Sequence, residues 1–278
     1  MIKGIFDSLY ASELGQSAFF ASGAAYAVAI ILCMIVGYLL GSINSAIVVS
    51  KLKYKQDIRD YGSKNAGMTN MFRVYGKTGG LLTLAGDFTK TLLAVLFADI
   101  LIGNGKFFIG SEGAYVAGFF CMLGHIFPLY YKFKGGKGVL VTAATLLLVE
   151  PIVFAVMFVI FAVIFLGSKM VSLASVMSAL LLPVIVDSYY KVLIGHSGAA
   201  GAIRMIIIFL TAGIVVFMHR ANIKRIYNGE ESKMELFKKK KLPETSDEIE
   251  KEVVEEKPRG EKADKNTSRK KLKKKNDR

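Results

Sequence analysis

Small hydrogen-bonding side chains concentrate in one polar stretch of the chain, DIRDYGSKNAGMTNMFRVYG at residues 57–76. Gly62 and Gly67 leave room for backbone amides to converge on an anion, because glycine adopts conformations that other residues avoid. The stretch also supplies three neutral donors and a planar cation that can grip two oxygens at once: Ser63, Thr69, Asn70 and Arg73. Together these groups are typical of a site that holds a phosphate.

Three further polar segments interrupt the apolar part of the chain, at residues 132–138, 168–175 and 219–225. Lys137 in the first segment is a compact positive charge. Ser172 and Ser175 in the second are three residues apart at the start of a predicted helix, so their hydroxyls share one face near its positive end. His219 and Asn222 have the same spacing in the third. This inventory of donors and cations suits the binding of phosphate groups.

Each of these features also has a simpler interpretation. Glycine-rich loops between membrane helices are often only turns, and lysines in short loops can merely mark the cytoplasmic side. Ser172 and Ser175 can be helix caps, and His219 can be an interfacial residue. The segment KGGKGV lacks the full glycine spacing and the following Ser or Thr of a nucleotide-binding P-loop, which excludes that interpretation. Asp57 and Asp87 have no partners at metal-ligand spacing, so we expect no metal ion.

The elements that must position these residues are hydrophobic helices. Hydrophobic residues make up 53% of the 278-residue chain, and they collect in runs that can cross a bilayer core, which takes roughly 20 helical residues. The fourth run is short, and Pro151 separates it from the fifth. We predict an all-α polytopic membrane protein with seven transmembrane helices, at about 18–49, 79–102, 112–131, 138–150, 151–166, 171–187 and 202–218.

The distribution of lysine and arginine among the short loops predicts the orientation of these helices. Basic residues crowd the loops at 51–77 and 132–137, recur at Lys169 and continue after His219, whereas the intervening loops carry only two lysines. With seven helices, all the basic segments fall on one side. That side is then cytoplasmic, with the N-terminus outside and the C-terminus inside. Omitting the short fourth helix would scatter the basic loops to both sides.

Almost nothing apolar remains after the last helix, and part of the formal net charge of +14 lies in this tail. The tail mixes both signs of charge and contains few aromatic residues, which is typical of disorder. We divide the chain into a membrane-embedded domain at 1–231 and a charged, disordered cytoplasmic tail at 232–278. Such a tail is attracted to anionic lipid headgroups, and we expect no specific nucleic-acid partner.

Six motifs follow one another between residues 41 and 231: GSINSA, DIRDYGSKNAGMTNMFRVYGKTGG, DFTK, GHIFPLYYKFKGGKGV, VSLAS and HRANIKRIYNGEE. In this order they resemble the bacterial PlsY family, the acyl-phosphate:glycerol-3-phosphate acyltransferases. Three positions depart from the family pattern, with Asn44 in place of a proline and with Lys64 and Thr91 in place of glycines. None of these departures removes a hydroxyl, amide or charge that we expect at the site.

The resemblance implies a multi-pass protein of the bacterial cell membrane, with its active site on the cytoplasmic side and without a cofactor. The family's reaction transfers an acyl group from acyl phosphate to the 1-hydroxyl of glycerol-3-phosphate, giving lysophosphatidic acid and phosphate in phospholipid biosynthesis. By motif, the residues implied to hold the acyl-phosphate head are Ser63, Thr69, Asn70, Arg73 and Ser175. Those implied to hold glycerol-3-phosphate are Lys137, His219, Asn222 and again Arg73. Among all of these, the expected catalytic residues are Ser63, Arg73, Lys137 and His219. The acyl chain would lie among the hydrophobic helices, next to membrane lipids.

An acyl phosphate is already activated, so direct attack by the glycerol hydroxyl needs no covalent enzyme intermediate. Two groups remain open as the base, a phosphate oxygen of the substrate and His219. The alternative function is a membrane transporter of phosphate or of an organophosphate. A transporter would place polar groups near the midplane and often has two related halves, whereas here the polar segments crowd one face and no repeat is visible.

Overall fold

The computed structural model describes residues 23–102, 112–195 and 199–234, and within these ranges the chain is helical and contains no strand. The helices are α1 Gly23–Ser42, α2 Ser45–Tyr54, α3 Met68–Ile102, α4 Glu112–Ile126, α5 Val139–Val149, α6 Pro151–Ser168, α7 Val171–Tyr189, α8 Ala199–Met218 and α9 Arg220–Tyr227. Short turns lie between them at Ile58–Asp60, Leu129–Tyr131 and Tyr190–Ile194. The predicted all-α class is confirmed for this part of the chain, and the predicted tail lies outside it from residue 235 onward.

Six segments of the described chain are long and apolar enough to cross a membrane, by length and composition. They are the run through α1 and α2 together with helices α3, α4, α6, α7 and α8. Helix α5 has only 11 residues and extends about 16 Å, roughly half of the apolar layer. The predicted short fourth helix is therefore present as a helix, and the count of seven crossings stays a prediction.

The first predicted run, at 18–49, is not one continuous helix in the described chain. The backbone leaves helical geometry after Ser42, and α2 starts at Ser45. Asn44 caps α2, because its Oδ1 accepts a hydrogen bond from the Ile47 amide at 3.1 Å. Its Nδ2 donates to the Ala66 carbonyl at 3.3 Å. The asparagine that departs from the PlsY pattern thus begins one helix and holds the glycine-rich loop.

Helix α3 begins at Met68, well before the predicted start at residue 79. The part that continues from residue 77 agrees with the predicted run at about 79–102, and the short helical part before it was not predicted because its polar composition resembles that of a loop. Gly76 interrupts the helix with φ 66° and ψ −160°, a backbone conformation that is almost exclusive to glycine. Consequently Thr69 and Arg73, which the sequence placed in a loop, lie on one short helical segment four residues apart.

Small residues allow α1 and α4 to pack closely. A Cβ on Gly37 would lie 2.6 Å from the Ala117 carbonyl oxygen, and one on Gly41 would lie 2.7 Å from the Cys121 carbonyl carbon. Gly37 and Gly41 are four residues apart on α1, the spacing that brings two membrane helices into backbone contact. The two cysteines of the chain, Cys33 and Cys121, are buried and form no disulfide bond.

A buried ion pair joins α3 to the break between α1 and α2. Lys90 Nζ lies 2.7 Å from Asp87 Oδ1 and donates to the carbonyls of Gly41 at 3.2 Å and Ile43 at 3.1 Å. At the end of α4, His125 Nδ1 lies 3.0 Å from Lys90 Nζ. Charges in a low-dielectric interior need such partners. This ion pair and its hydrogen bonds fix three elements relative to one another.

A second buried polar cluster lies at the opposite ends of these helices. Glu150, between α5 and α6, accepts hydrogen bonds from the hydroxyls of Tyr115, at 3.1 Å, and of Tyr190. The Arg204 guanidinium lies 3.5 Å from the centre of the Tyr190 ring. Tyr115 belongs to α4, Tyr190 follows α7 and Arg204 belongs to α8. The cluster therefore ties α4, α7 and α8 to the junction between α5 and α6.

Candidate active site

A cavity of about 470 Å³ lies where the four polar segments meet. All the predicted site residues except Gly62 line it: Ser63, Gly67, Thr69, Asn70, Arg73, Lys137, Ser172, Ser175, His219 and Asn222. Much of the rest of its wall is apolar and comes from α5, α6, α7 and α8, including Leu147, Phe154, Met157, Phe158, Phe161, Leu182 and Val215. The cavity thus joins a polar end, formed by loops and helix termini, to an apolar region deeper in the bundle.

Asn70 shapes the glycine-rich loop from within. Its side chain is buried, and its Oδ1 accepts a hydrogen bond from the Ser63 amide at 2.9 Å. Its Nδ2 donates to three backbone carbonyls at 3.0 to 3.3 Å, those of Ile58, Tyr61 and Asn65. Gly62, with φ 56°, packs directly against Asn70 and leaves no space for a side chain. Asn70 and Gly62 therefore shape the loop that presents Ser63, and Asn70 also lines the cavity.

Arg59, which the sequence analysis did not single out, links this loop to the lysine-rich one. Its guanidinium pairs with Asp57 Oδ2 at 2.7 Å and donates to the carbonyls of Tyr131 at 3.0 Å and Lys134 at 3.2 Å. The hydrogen bonds from Arg59 lower the pKa of Asp57 to about 2. The spacing Asp-x-Arg in DIRDYG predicts the ion pair between Asp57 and Arg59. The other acceptors of Arg59 are backbone carbonyls of a distant loop, and no sequence pattern predicts those contacts.

The loop at 132–138 is folded against the end of α4. The amides of Gly135 and Gly136 donate to the carbonyls of Ile126 at 3.1 Å and His125 at 3.0 Å. A side chain at Gly136 would collide with the His125 ring, so only glycine fits there. The following residue, Lys137, lines the cavity, and α5 begins one residue after Gly138. The glycines therefore let the backbone turn tightly enough to aim one lysine inward.

Lys137 sits in a partly buried, cationic environment. Its Nζ donates to Asn222 Oδ1. Burial lowers the pKa of Lys137 to about 8, and the charges of Arg225 and Arg73 act in the same direction while Glu231 opposes them. The group remains charged near neutral pH and is poised to lose its proton a little above it. A bound anion would be its natural partner.

His219 lies at the junction of α8 and α9 and is buried. Its Nδ1 is 2.7 Å from the Val215 carbonyl oxygen. Because a carbonyl only accepts hydrogen bonds, this contact places the ring hydrogen on Nδ1 and leaves Nε2 as an acceptor. Burial lowers the pKa of His219 to about 4. The imidazole is therefore neutral at physiological pH, with a free lone pair on Nε2.

The two serines at the start of α7 do not cap that helix. Its N-cap residue is Met170, and no side chain makes the capping hydrogen bond. Ser175 Oγ donates to the Val171 carbonyl at 2.8 Å, within its own helix, and Ser172 Oγ donates to Glu231 Oε1 at 2.6 Å. The interpretation of these serines as caps is thus wrong, and both residues line the cavity.

Glu231 is one of several polar residues of this cavity that were not predicted as site residues; Asp87, His125 and Ser232 are others. Glu231 Oε1 also accepts from Asn222 Nδ2 at 2.6 Å, and Glu231 Oε2 accepts from Arg225 Nε at 2.7 Å. The residues around it are tied down as well, with Arg73 donating to Ser232 Oγ at 2.8 Å. Arg225 therefore has an intramolecular partner. In the described ranges, no group of His, Cys, Asp or Glu is arranged to hold a metal ion.

Comparison with known proteins identifies the family of this chain. A family model described as glycerol-3-phosphate acyltransferase matches residues 31–229. The chain belongs to this family. A glycerol-3-phosphate acyltransferase from Finegoldia magna is 40% identical over 206 residues, which cover 74% of this chain and 96% of the relative. One from Staphylococcus aureus is 36% identical over 207 residues, covering 74% and 98%.

Two solved structures of a glycerol-3-phosphate acyltransferase share the fold. A crystal structure of PlsY, an integral membrane enzyme of this family, in its glycerol 3-phosphate form superposes with a TM-score of 0.64 at 30% identity, covering 74% of this chain and 96% of that one. The lysophosphatidic acid form gives a TM-score of 0.61 at 29% identity, covering 74% and 95%. The PlsY resemblance inferred from the six motifs is confirmed, and the family's place among multi-pass membrane proteins agrees with the helices described above.

Proposed function

We propose that this acyltransferase of phospholipid synthesis uses acyl phosphate as its donor and acylates the 1-hydroxyl of glycerol-3-phosphate, giving lysophosphatidic acid and inorganic phosphate. The observation that carries the proposal is the cavity that joins a cationic, hydroxyl-rich end to an apolar region. An acyl phosphate has this same two-part chemistry, an anionic head on a long hydrocarbon chain. The membership of the family supports glycerol-3-phosphate as the acceptor.

Two subsites account for the two phosphates. Ser63, Thr69 and Ser175 are neutral donors along one side of the cavity, and we assign them to the acyl-phosphate head. Lys137 and Asn222, already in contact with each other, are assigned to glycerol-3-phosphate. The remaining assignments are that Arg73 is shared between the two, that Ser172 supports the second subsite, and that Gly67 lets the loop approach the head closely.

The chief task of the site is electrostatic. Two phosphate dianions about 5 Å apart repel each other by on the order of 10 kcal/mol at an effective dielectric constant near 20. Arg73, Lys137 and Arg225 surround the cavity with positive charge and offset this repulsion without needing to move during the reaction. Holding the glycerol hydroxyl against the acyl carbon then makes the attack effectively unimolecular.

In the proposed step, the hydroxyl oxygen forms a bond to the acyl carbonyl carbon. The bond from that carbon to the phosphate oxygen breaks, and inorganic phosphate leaves with the bonding electrons. The hydroxyl proton passes either to a phosphate oxygen or to His219 Nε2, whose free lone pair and neutral ring support it as a base. A phosphate oxygen of the substrate can accept the proton equally well without any protein base. The effect of replacing His219 distinguishes the two proton acceptors.

The arrangement of basic residues supports a cytoplasmic location for the site. If the short helix α5 is counted as a crossing, the loops at 51–67 and 132–138 and the segment that follows α8 share one side of the membrane, and the positive-inside rule makes that side cytoplasmic. We therefore propose seven crossings in the bacterial cell membrane, with acyl chains entering the cavity from the lipid. The charged tail would contact anionic headgroups on the same side.

The test is a release assay on purified protein in detergent or lipid. Palmitoyl phosphate and glycerol-3-phosphate are supplied without divalent metal, and a parallel reaction replaces the donor with palmitoyl coenzyme A. We expect phosphate and lysophosphatidic acid to appear together with the first donor only, and to vanish in Arg73→Ala. Activity with coenzyme A thioester alone would overturn the proposed donor. Silence with both donors from a folded preparation would favour a phosphate transporter.

A further inference from the structure

We propose that residues 129–134 form a docking surface for anionic phospholipids, with the Phe133 ring in the interfacial layer of the bilayer and the ammonium groups of Lys132 and Lys134 on lipid phosphates. We call this segment the lipid-binding surface. None of its residues lines the cavity, so it is separate from the site where acyl transfer is proposed. The proposal therefore holds or fails independently of the proposed reaction.

The lipid-binding surface lies at the end of a segment that can cross the membrane. Helix α4 and the turn after it form an apolar run at Glu112–Tyr131, which is long enough for a crossing by length and composition. The residues at its end then lie near the lipid headgroups. Leu129, Tyr130 and Phe133 are 46%, 53% and 55% exposed there. Aromatic residues and lysines are the residue types that collect at this level of a bilayer, so lipid accounts for the exposure of these side chains.

The backbone of the lipid-binding surface turns in a way that side chains normally oppose. Lys132 and Phe133 follow one another with φ 57° and φ 56°, in the left-handed region that residues other than glycine avoid. The Phe133 amide donates to the Pro128 carbonyl at 3.0 Å and closes the turn. Such conformations persist where the surroundings impose them. Here the turn leaves the Phe133 ring on the outside of the bundle, where contact with lipid would offset the strain.

The same segment is held firmly on its protein side. Arg59 donates to the carbonyls of Tyr131 at 3.0 Å and Lys134 at 3.2 Å. The Leu129 amide donates to Ser42 Oγ at 3.2 Å. These contacts use backbone atoms of the segment and leave its side chains free to meet another surface. The lipid-binding surface is therefore formed before any lipid arrives, and binding needs little further ordering of the chain.

The charges of the lipid-binding surface select the kind of lipid. Lys132 and Lys134 are exposed, and neither forms a salt bridge within the part of the chain that the structure describes. Lys51 adds a third ammonium, 5.8 Å from the centre of the Tyr131 ring. A lysine stem can lie along apolar groups while its ammonium reaches a phosphate. A soluble acidic protein would match the charges alone, so the apolar side chains between the lysines favour an anionic lipid.

The depth of Phe133 can be measured directly, because the chain contains no tryptophan. Phe133→Trp introduces a single indole into the full-length protein, which is reconstituted in phosphatidylcholine vesicles. Lipids brominated at different depths along the acyl chain, and aqueous iodide, serve as quenchers. We expect Phe133→Trp to be quenched most by the shallowest bromines and little by iodide. Phe209→Trp, at an exposed position within α8, is the matched control and should be quenched most by the deepest bromines.

The preference for anionic lipid is measured in the same protein. A minor fraction of the lipid is brominated, either as phosphatidylglycerol or as phosphatidylcholine. We expect brominated phosphatidylglycerol to quench Phe133→Trp about twofold more strongly at an equal fraction, because the lysines concentrate anionic headgroups around the indole. Adding Lys132→Gln and Lys134→Gln to Phe133→Trp should make the two lipids equivalent. Phe209→Trp should not distinguish them.

Two results would overturn the proposal. Quenching of Phe133→Trp by iodide and not by brominated lipid would show that this surface faces water. Equal quenching by the two brominated lipids would show an interfacial residue without an anionic headgroup site. If Phe133→Trp does not yield a monodisperse protein, Tyr130→Trp places the indole on the same surface, and the same two results with that variant would overturn the proposal.

Discussion

Lys137 sets an alkaline limit on the proposed reaction, and an arginine in its place should remove that limit. Burial lowers the pKa of Lys137 to about 8 from the ordinary 10.5. At roughly 1.4 kcal/mol per pKa unit, this difference corresponds to ~3 kcal/mol against the charged form. The charged form predominates below that pKa and is lost above it. Since a neutral amine cannot offset a phosphate, we expect kcat/KM for glycerol-3-phosphate to fall roughly tenfold for each pH unit above about 8.

The alkaline limb of the pH profile, where activity falls with rising pH, should lie at different pH values for kcat/KM and for kcat. The first quantity reports the pKa of the free enzyme, and the second reports that of the substrate complex. A bound phosphate dianion beside Lys137 favours the ammonium and raises its pKa, so kcat should hold to higher pH. Glycerol-3-phosphate does not contribute to the limb, because the second pKa of a phosphate monoester is about 6 and the ligand is already a dianion.

The assay measures initial rates of lysophosphatidic acid formation between about pH 6.5 and 9.5, with spontaneous hydrolysis of the donor subtracted. Lys137→Arg retains a cation whose pKa exceeds about 12, so its profile should be flat even if its activity at neutral pH is lower. Lys134→Arg, an exposed lysine of the same loop, is the matched control. A wild-type profile that stays flat to the highest pH, or a limb that persists in Lys137→Arg, would refute this reasoning.

Four further predictions follow from the fold and the site. Lys64 adopts φ 58°, which costs a non-glycine residue roughly 1–2 kcal/mol, so Lys64→Gly should raise the thermal unfolding temperature and leave activity unchanged. Gly41→Leu should abolish folding, seen as loss of the monodisperse peak in size exclusion, whereas Gly213→Leu, with open space around it, should not. Truncation after residue 234 should retain activity, because Glu231, Ser232 and Met234 of the cavity wall remain; a loss would assign the tail a catalytic part. His219→Gln should lower kcat about 100-fold if His219 is the base, and retained turnover would favour the substrate phosphate.

The sequence predicted the side chains of the site better than the backbone that carries them. The residue types give the charges, hydroxyls and amides directly, and the order of these residues in six motifs identified the family. Where helices begin and end was less legible. Helix α3 starts at Met68 among polar residues, since its burial comes from tertiary packing rather than from its own hydrophobic pattern. The break at Asn44 was hidden for the opposite reason, because apolar residues continue on both sides of it.

The roles of Asn70 and Glu231 could not be read from residue type. An asparagine in a glycine-rich loop is equally suited to hold a ligand or to hold the loop, and only its bonds to Ser63 and to three backbone carbonyls distinguish these uses. A glutamate after a basic helix suggests a surface ion pair. The burial of Glu231 against Ser172 and Asn222 depends on the path of residues 229–234. Local sequence does not specify that path.

The short helix α5 connects the fold to the chemistry of Lys137. A full crossing of roughly 20 residues would extend about 30 Å and would carry the loop at its start out to the headgroups. With 11 residues, α5 instead leaves Lys137 drawn toward the apolar interior, where loss of water lowers its pKa. The other end of α5, at Glu150, then also lies in the apolar interior of the bundle. An unpaired buried carboxylate is strongly destabilising. Glu150 therefore needs its neighbours there, which are Tyr115, Tyr190 and Arg204. The polar cluster around Glu150 thus stabilises the buried end of the short helix α5. The short length of α5 in turn keeps Lys137 partly buried, and this burial lowers the pKa of Lys137.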